Sequence, residues 1–302
     1  MKYKKIFLTL FIILFFYASA ALPYPFSFTD HAGNKITIKA IPSNVVSLVP
    51  SVSEIICKIG AADALKGVTW HSTLPSEIAS KNVIGGFFSP NIAKIKSIKP
   101  DIIFVSQIQK NVIKRFSDGK QILINLETDS VNDSYDNIML LGRIFDKEYE
   151  AATILKKNRD ELEMIADKVA GIPVPKKKRV MRLMGRKSIM TPGDDSFQNE
   201  MIRAAGGITP VLEKKGNIVP VTKKEWIAFN SQVIYGCGGD KAAADKFFSL
   251  PGWKDVDAVK NKRIYTFPCA LTCRASTNTG YFVSWLSARI YKDEYAKSKN
   301  QV

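Results

Sequence analysis

From Asp146 to about Ala170 the chain keeps a single helical period for about 25 residues, with Ala151, Ile154, Leu155, Leu162, Ile165 and Val169 on one face. Gly171 and Pro173 end the run. At 1.5 Å per residue such a helix spans nearly 40 Å. That is long for a crossover inside one lobe and suits a rigid strut between two. Strand signals stop at Asp133 before it and resume at Val180 after it. Ile138, Leu141, Ile144 and Phe145 mark a further helix just upstream, and Asp146 is placed to cap the long one.

The segments on either side read alike. Ser27 to Ile41 alternates like an antiparallel hairpin turning at Ala32-Gly33-Asn34. Beyond Pro42, short apolar strands alternate with helices. Val45–Val49 leads to a helix from about Ser53 to Ile59, with Ser51 as the expected N-cap and Glu54 completing a capping box. Lys66–Thr69, Ile102–Val105 and Gln121–Leu126 read as further strands, and Asn91–Ile98 and Asn111–Ser117 as helices. After the strut, Val180–Met184, Gln232–Tyr235 and Arg263–Phe267 read as strands, Gly185–Asp194 as a loop, and Ser196–Ala205, Glu225–Asn230 and Gly280–Tyr291 as helices. Strands alternating with helices predict parallel sheets. The expectation is an α/β protein of two Rossmann-like lobes with central parallel sheets: residues 21–145, a connecting helix at 146–171, and residues 172–302.

Residues 1–20 read as a cleavable signal peptide. Lys2, Lys4 and Lys5 precede an apolar run from Ile6 to Tyr17, and Ala18-Ser19-Ala20 supplies the small-x-small cleavage pattern. No cysteine lies near that junction, so a lipid anchor is not expected and the mature chain is placed in the periplasm. Without the three leader lysines, 41 basic residues face 28 acidic ones, a net charge of +13. Such an excess favours anionic partners. Export argues against nucleic acid, and the composition, 46% apolar and 24% charged, is that of a globular chain. There is no HExxH, GxSxG, Walker loop or strand-borne GxGxxG, so no enzyme activity is expected.

The segment Val45-Val46-Ser47-Leu48-Val49-Pro50-Ser51-Val52-Ser53-Glu54-Ile55 resembles the entry motif of the periplasmic binding proteins for cobalamin and ferric siderophores, receptors of the helical-backbone type. Ile59-Gly60-Ala61 with Lys66-Gly67-Val68-Thr69, and Pro90-Asn91-Ile92 with Ile98-Lys99-Pro100-Asp101-Ile102-Ile103, follow in the family's order. In the second half, Ser196-Phe197-Gln198-Asn199, Ala205-Gly206-Gly207 and Arg274-Ala275-Ser276 fit as well. The resemblance implies two lobes on one long helix, a ligand in the cleft between them, and an ABC permease of the inner membrane as partner. It implies a monomer with no intrinsic cofactor, whose cargo is a ferric siderophore, haem or cobalamin. Family members carry a permease-docking glutamate on each lobe. Here those positions hold Ala93 and Arg203, and Glu200, one turn from Arg203, is the candidate substitute.

In such folds ligands meet the loops at the carboxyl ends of strands. That nominates Pro50, Ser51, Trp70, His71, Phe87, Phe88 and Gln107 from the first lobe, and Arg186, Lys187, Cys237, Cys269, Cys273 and Arg274 from the second. The aromatics suit stacking on a flat ring, and the cations suit carboxylate, phosphate or catecholate oxygens. Cys57 is expected as a buried thiol on the core face of the first helix. Cys237, Cys269 and Cys273 should gather at one rim of the second lobe. Two readings stand for that trio: a disulfide, Cys269–Cys273 or Cys237–Cys269, or thiolate ligation of a soft metal with His71 as fourth ligand. The second would make the chain a periplasmic metal- or thiol-handling protein.

Overall fold

Residues 24–185, 188–292 and 295 are described in the computed structural model. First comes an antiparallel hairpin, β1 (Phe26–Thr29) with β2 (Lys35–Ile38). The buried Asp30 organises its turn by accepting the N–H groups of Ala32 and Asn34. It also accepts the N–H of Asn125, 95 residues away, at 3.0 Å. One carboxylate therefore closes the turn and fastens the hairpin to the first lobe.

The first lobe alternates strand and helix: β3 (Val45–Ser47), α1 (Pro50–Lys58), β4 (Leu65–Val68), β5 (Asn82–Val83), α2 (Ile92–Ile98), β6 (Ile102–Val105), α3 (Lys110–Arg115) and β7 (Ile122–Asn125). The five strands form one sheet in the order β5-β4-β3-β6-β7, all parallel. β3 and β6 are buried at every position, which is why they read as continuous apolar runs and not as alternating ones. The chain steps from β3 outward to β5 and returns to β6 on the other side. The loops after β3 and β6 therefore part from each other at the carboxyl ends of the strands, where open parallel sheets take their ligands.

Two expected caps are corrected. Ser51 does not cap the first helix: α1 starts with Pro50 in its first turn, Val49 is the N-cap, and no side chain caps it. Proline's fixed φ and missing N–H suit that position, and Glu54 is drawn to the opposite lobe, as described below. Asp146 does not cap the long helix, because its backbone turns left-handed at φ +55° and Lys147 takes the N-cap position. The capping box lies earlier, where Ser130 and Asp133 exchange side-chain bonds at the start of α4 (Val131–Ile144).

The long helix is α5 (Glu148–Ala170), 23 residues or about 35 Å. Its two ends serve different cores. Ala151 and Leu155 are buried with Ile138 and Leu141 in the first lobe, while Ile165 and Val169 are buried with Met201, Phe282 and Leu286 in the second. Leu162 and Val131 pack against both.

The second lobe holds β8 (Val180–Arg182), β9 (Met190–Thr191), α6 (Phe197–Ala204), β10 (Val219–Pro220), α7 (Lys223–Phe229), β11 (Val233–Cys237), α8 (Lys241–Phe247), α9 (Asp257–Lys260), β12 (Ile264–Phe267), α10 (Cys269–Thr272) and α11 (Thr279–Ile290). Its sheet is parallel, in the order β12-β11-β8. β9 and β10 pair as an antiparallel ribbon in a stretch that reads as loop, since two-residue strands carry no period. α11 closes onto the strut through the buried Asn158, which accepts the Gly280 N–H at 2.8 Å and donates to the Thr277 carbonyl at 2.9 Å. A Cβ on Gly280 would stand 2.8 Å from the Asn158 carbonyl oxygen, so this approach needs glycine. The result is the expected architecture: two α/β lobes with parallel sheets, joined by one long helix.

Candidate ligand-binding site

The first lobe offers an aromatic lip. β4 ends at Val68, and after the buried Thr69 come Trp70 and His71, at the carboxyl end of the sheet. Trp70 is 59% exposed and Phe88 79% exposed, far more than aromatic side chains of that size usually are. The indole lies on the backbone of Gly86, where a Cβ would come within 2.5 Å of the Trp70 ring. His71 Nδ1 accepts the Phe87 N–H at 3.1 Å, so the neutral imidazole carries its proton on Nε2. Burial, aided by the cation of Arg274, lowers the His71 pKa. The His71, Phe87 and Phe88 rings meet edge to face at 5.0–6.4 Å. Below them the buried Gln109 donates to the Phe87 carbonyl at 2.9 Å and accepts the Ser106 N–H at 3.1 Å. The lip thus stands on a fixed amide. Pro50 is half-buried and Ser51 buried in the first turn of α1, and Gln107 is exposed, its backbone N–H held by Glu127 at 2.6 Å.

The second lobe offers sulfur and guanidinium. Cys237 ends β11, Cys269 starts α10 just beyond the neighbouring strand β12, and Cys273 follows one turn later, which brings all three to the same end of the sheet. Their sulfurs lie within 4.8 Å of one another, and all three are free thiols. Cys237 is buried, while Cys269 and Cys273 are exposed. Beneath them Arg182, 1% exposed at the end of β8, donates from Nη2 to Cys273 Sγ at 3.1 Å. The hydrogen bond from Cys237, together with the Arg182 charge and bonds from Thr272 and Arg182, lowers the Cys273 thiol pKa to about 5. Donating that hydrogen bond, with burial, pushes Cys237 the other way. The Cys237 hydrogen bond and the Arg182 charge thus both favour the thiolate form of Cys273. Cys57 is buried in the core, where desolvation raises its pKa to about 11. His71 is not in this group, and its accepting nitrogen is already engaged.

The two lips are tied together. Glu54, 1% exposed in α1, accepts Thr277 Oγ1 at 2.5 Å and Asn278 Nδ2 at 3.0 Å across the lobe boundary, and its other oxygen pairs with Arg274 Nε at 3.7 Å. Arg274 in turn donates from Nε to the Ala270 carbonyl at 3.1 Å, within the turn α10 that Cys269 starts. Burial depresses the Arg274 pKa, and Glu54 opposes that shift. Glu200, the candidate docking residue, is half-buried and accepts the Val131 N–H at 2.7 Å from the first turn of α4. Arg186 and Lys187 lie outside the described residues.

Of the nominated residues, Trp70, His71, Phe87 and Phe88 gather on one lobe, and Cys237, Cys269, Cys273 and Arg274 on the other. Glu54, Gln109 and Arg182 were missed. Arg182 had a signal, as the one charge inside the apolar strand Val180-Met181-Arg182-Leu183-Met184. Glu54 and Gln109 act through partners distant in sequence and had none.

Residues 45–271 match the model of a family described as periplasmic binding protein. The chain belongs to that family. This binding protein is 28% identical over 278 residues, 90% of its length and 87% of the relative's, to an uncharacterized ABC transporter substrate-binding lipoprotein, YvrC of Bacillus subtilis. It is 22% identical to the molybdate-binding protein MolA of Haemophilus influenzae, over 80% of this chain and 76% of that one. The fold is that of the periplasmic heme-binding protein RhuT from Roseiflexus, with a TM-score of 0.74 at 19% identity over 83% of this chain and 98% of that one. Members of this family bind solutes and are not enzymes, and they work outside the cytoplasmic membrane. The leader read at residues 1–20 falls outside the described residues. Among the described residues, no helix is long and apolar enough to cross a membrane.

Proposed function

We propose that this binding protein captures a metal chelate in the inter-lobe cleft, a ferric siderophore, haem or corrinoid, and delivers it to an ABC permease. The observation that carries this reading is the exposed aromatic lip, Trp70 and Phe88, at the edge of the first lobe beside the boundary that Glu54 bridges to Thr277 and Asn278 of the second. A flat conjugated or macrocyclic ligand stacks on such rings. The protein needs no resident cofactor for this role, because any metal arrives with the cargo. The names of YvrC, an ABC transporter lipoprotein, and RhuT, a heme-binding protein, support the same class of ligand and partner.

The test is a thermal-shift screen of the purified protein against haem, cobalamin and several ferric siderophores. A true ligand at a hundred times its dissociation constant adds about 2.7 kcal/mol to stability. The reading predicts a shift for one member and a much smaller one for Trp70→Ala. No shift with any of them, or an equal shift in the variant, overturns it.

A further inference from the structure

We propose that Cys237, Cys269 and Cys273 form a three-thiolate site for a soft, thiophilic metal ion, with the buried Arg182 as its counter-charge. The inference goes beyond the cleft reading: it concerns an ion held by the second lobe's own thiols and stands on their geometry.

The geometry is that of a ligand set. Three sulfurs bound to one ion at about 2.3 Å stand roughly 4 Å apart, and these three already lie within 4.8 Å of one another. Two distinct elements supply them, the end of β11 and both ends of the single turn α10, so the set is held by the sheet and not by one flexible loop. One rival use of the same atoms, a Cys269–Cys273 disulfide, fits poorly. The Cys273 N–H donates to the Cys269 carbonyl at 3.0 Å, the bond of an intact helical turn. Residues spaced i and i+4 in a helix have Cβ atoms about 5–6 Å apart, whereas a disulfide needs about 3.5–4.5 Å. Closing Cys269 onto Cys273 would have to unwind that turn.

The charge balance is the second, independent observation. Arg182 is 1% exposed, and apart from its Nη2 bond to Cys273 its Nε and Nη1 have no hydrogen-bond partner among the described residues. Tyr235, opposite Arg182 in the register of β8 and β11, also has an unpartnered buried hydroxyl. A buried guanidinium left this bare is costly unless anionic charge stands beside it. When a divalent ion binds, every cysteine of the trio that is still protonated releases its proton to solvent, and the complex of one such ion with three thiolates carries one net negative charge. A single guanidinium beneath it neutralises that charge. Thiolate ligands select soft metals over the hard, oxygen-seeking ones.

The experiment uses the reduced full chain and Cd(II), which is redox-inert and reports sulfur bonding through a thiolate-to-metal charge-transfer band. The expected result is one equivalent bound, with a band intensity of three thiolates. Each of Cys237→Ser, Cys269→Ser and Cys273→Ser should weaken binding at least 100-fold, and Cys57→Ala should leave it unchanged. Should a variant fold poorly, the wild-type chain still decides the matter, because Cd(II) must protect the same three cysteines, and not Cys57, from alkylation. A band of two thiolates or fewer, unprotected alkylation, or a disulfide within the trio in protein taken from the periplasm overturns the proposal. Repeating the chelate screen on the triple serine variant separates the two readings. Chelate binding without Cd(II) binding in the wild type leaves the cleft reading standing and removes the thiol site, and Cd(II) binding with no chelate bound does the reverse.

Discussion

The two lips of the cleft solve the same task with opposite materials. On the first lobe, large apolar rings stand in solvent on a floor made by Gln109 and Gly86, with no formal charge among them. On the second, small polarisable thiols sit over a buried cation, and the apolar content is modest. Exposed rings are sterically permissive, since any flat surface stacks on them. A thiol trio over a guanidinium is selective, since it rewards only partners that tolerate sulfur and negative charge. On the proposed function, the difference assigns affinity to the first lobe and discrimination to the second.

The largest expected effect tests the bridge between the lips. Glu54→Ala leaves Arg274 buried without its carboxylate, and losing one partner of such a pair costs about 3–5 kcal/mol. Urea denaturation should show it as a lower midpoint, and a loss under about 1 kcal/mol would mean that the lobes do not depend on this tie. Next comes the sulfur lip. In the metal-free protein, iodoacetamide should label Cys273 with a rate that rises through a midpoint near pH 5 and then levels off. Cys237→Ala removes the largest cause of that depression, so the midpoint should climb toward the ordinary value of 9.0 and the rate at neutral pH should fall. Because the folded-state pKa is depressed, this ionisation stabilises the fold fully above pH 9.0, and the contribution disappears as pH falls toward about 5.

The aromatic lip sharpens the contrast in the other direction. Trp70→Ala should cost about tenfold in chelate affinity while moving stability by only about 0.5 kcal/mol, since its ring is more exposed than buried. A calorimetric titration paired with thermal unfolding distinguishes that from a packing role. The smallest effect belongs to Glu200→Gln, which keeps the hydrogen bond to Val131 but removes a negative charge from the start of α4, a loss of about 0.5 kcal/mol that should shrink further in high salt.

Much of the architecture could be read from the chain because it is written in local periods. β3 and β6 announce themselves as apolar runs, and the strut as an unbroken face from Ala151 to Val169. The gathering of Cys237 and Cys269 was legible too, since each follows a parallel strand and the ends of neighbouring strands share a rim. What stayed hidden depends on pairing across distance. Glu54 looks like the third residue of a capping box until Thr277 and Asn278, more than two hundred positions later, claim its oxygens. The cap errors at Ser51 and Asp146 have a different origin: Pro50 and a left-handed backbone set those helix starts, and composition alone cannot rank such contributions against a favourable side chain.

Leu162 touches both hydrophobic interiors, and so does Val131. The halves consequently share a pivot of packed hydrocarbon near the middle of the strut, where a hinge loop would ordinarily lie. Swinging the halves apart must roll one interior over the other at this point while the rims, far out on the lever, travel much further. On the proposed function, a permease pressing on the outer faces would turn the lobes about this packed pivot to open the mouth.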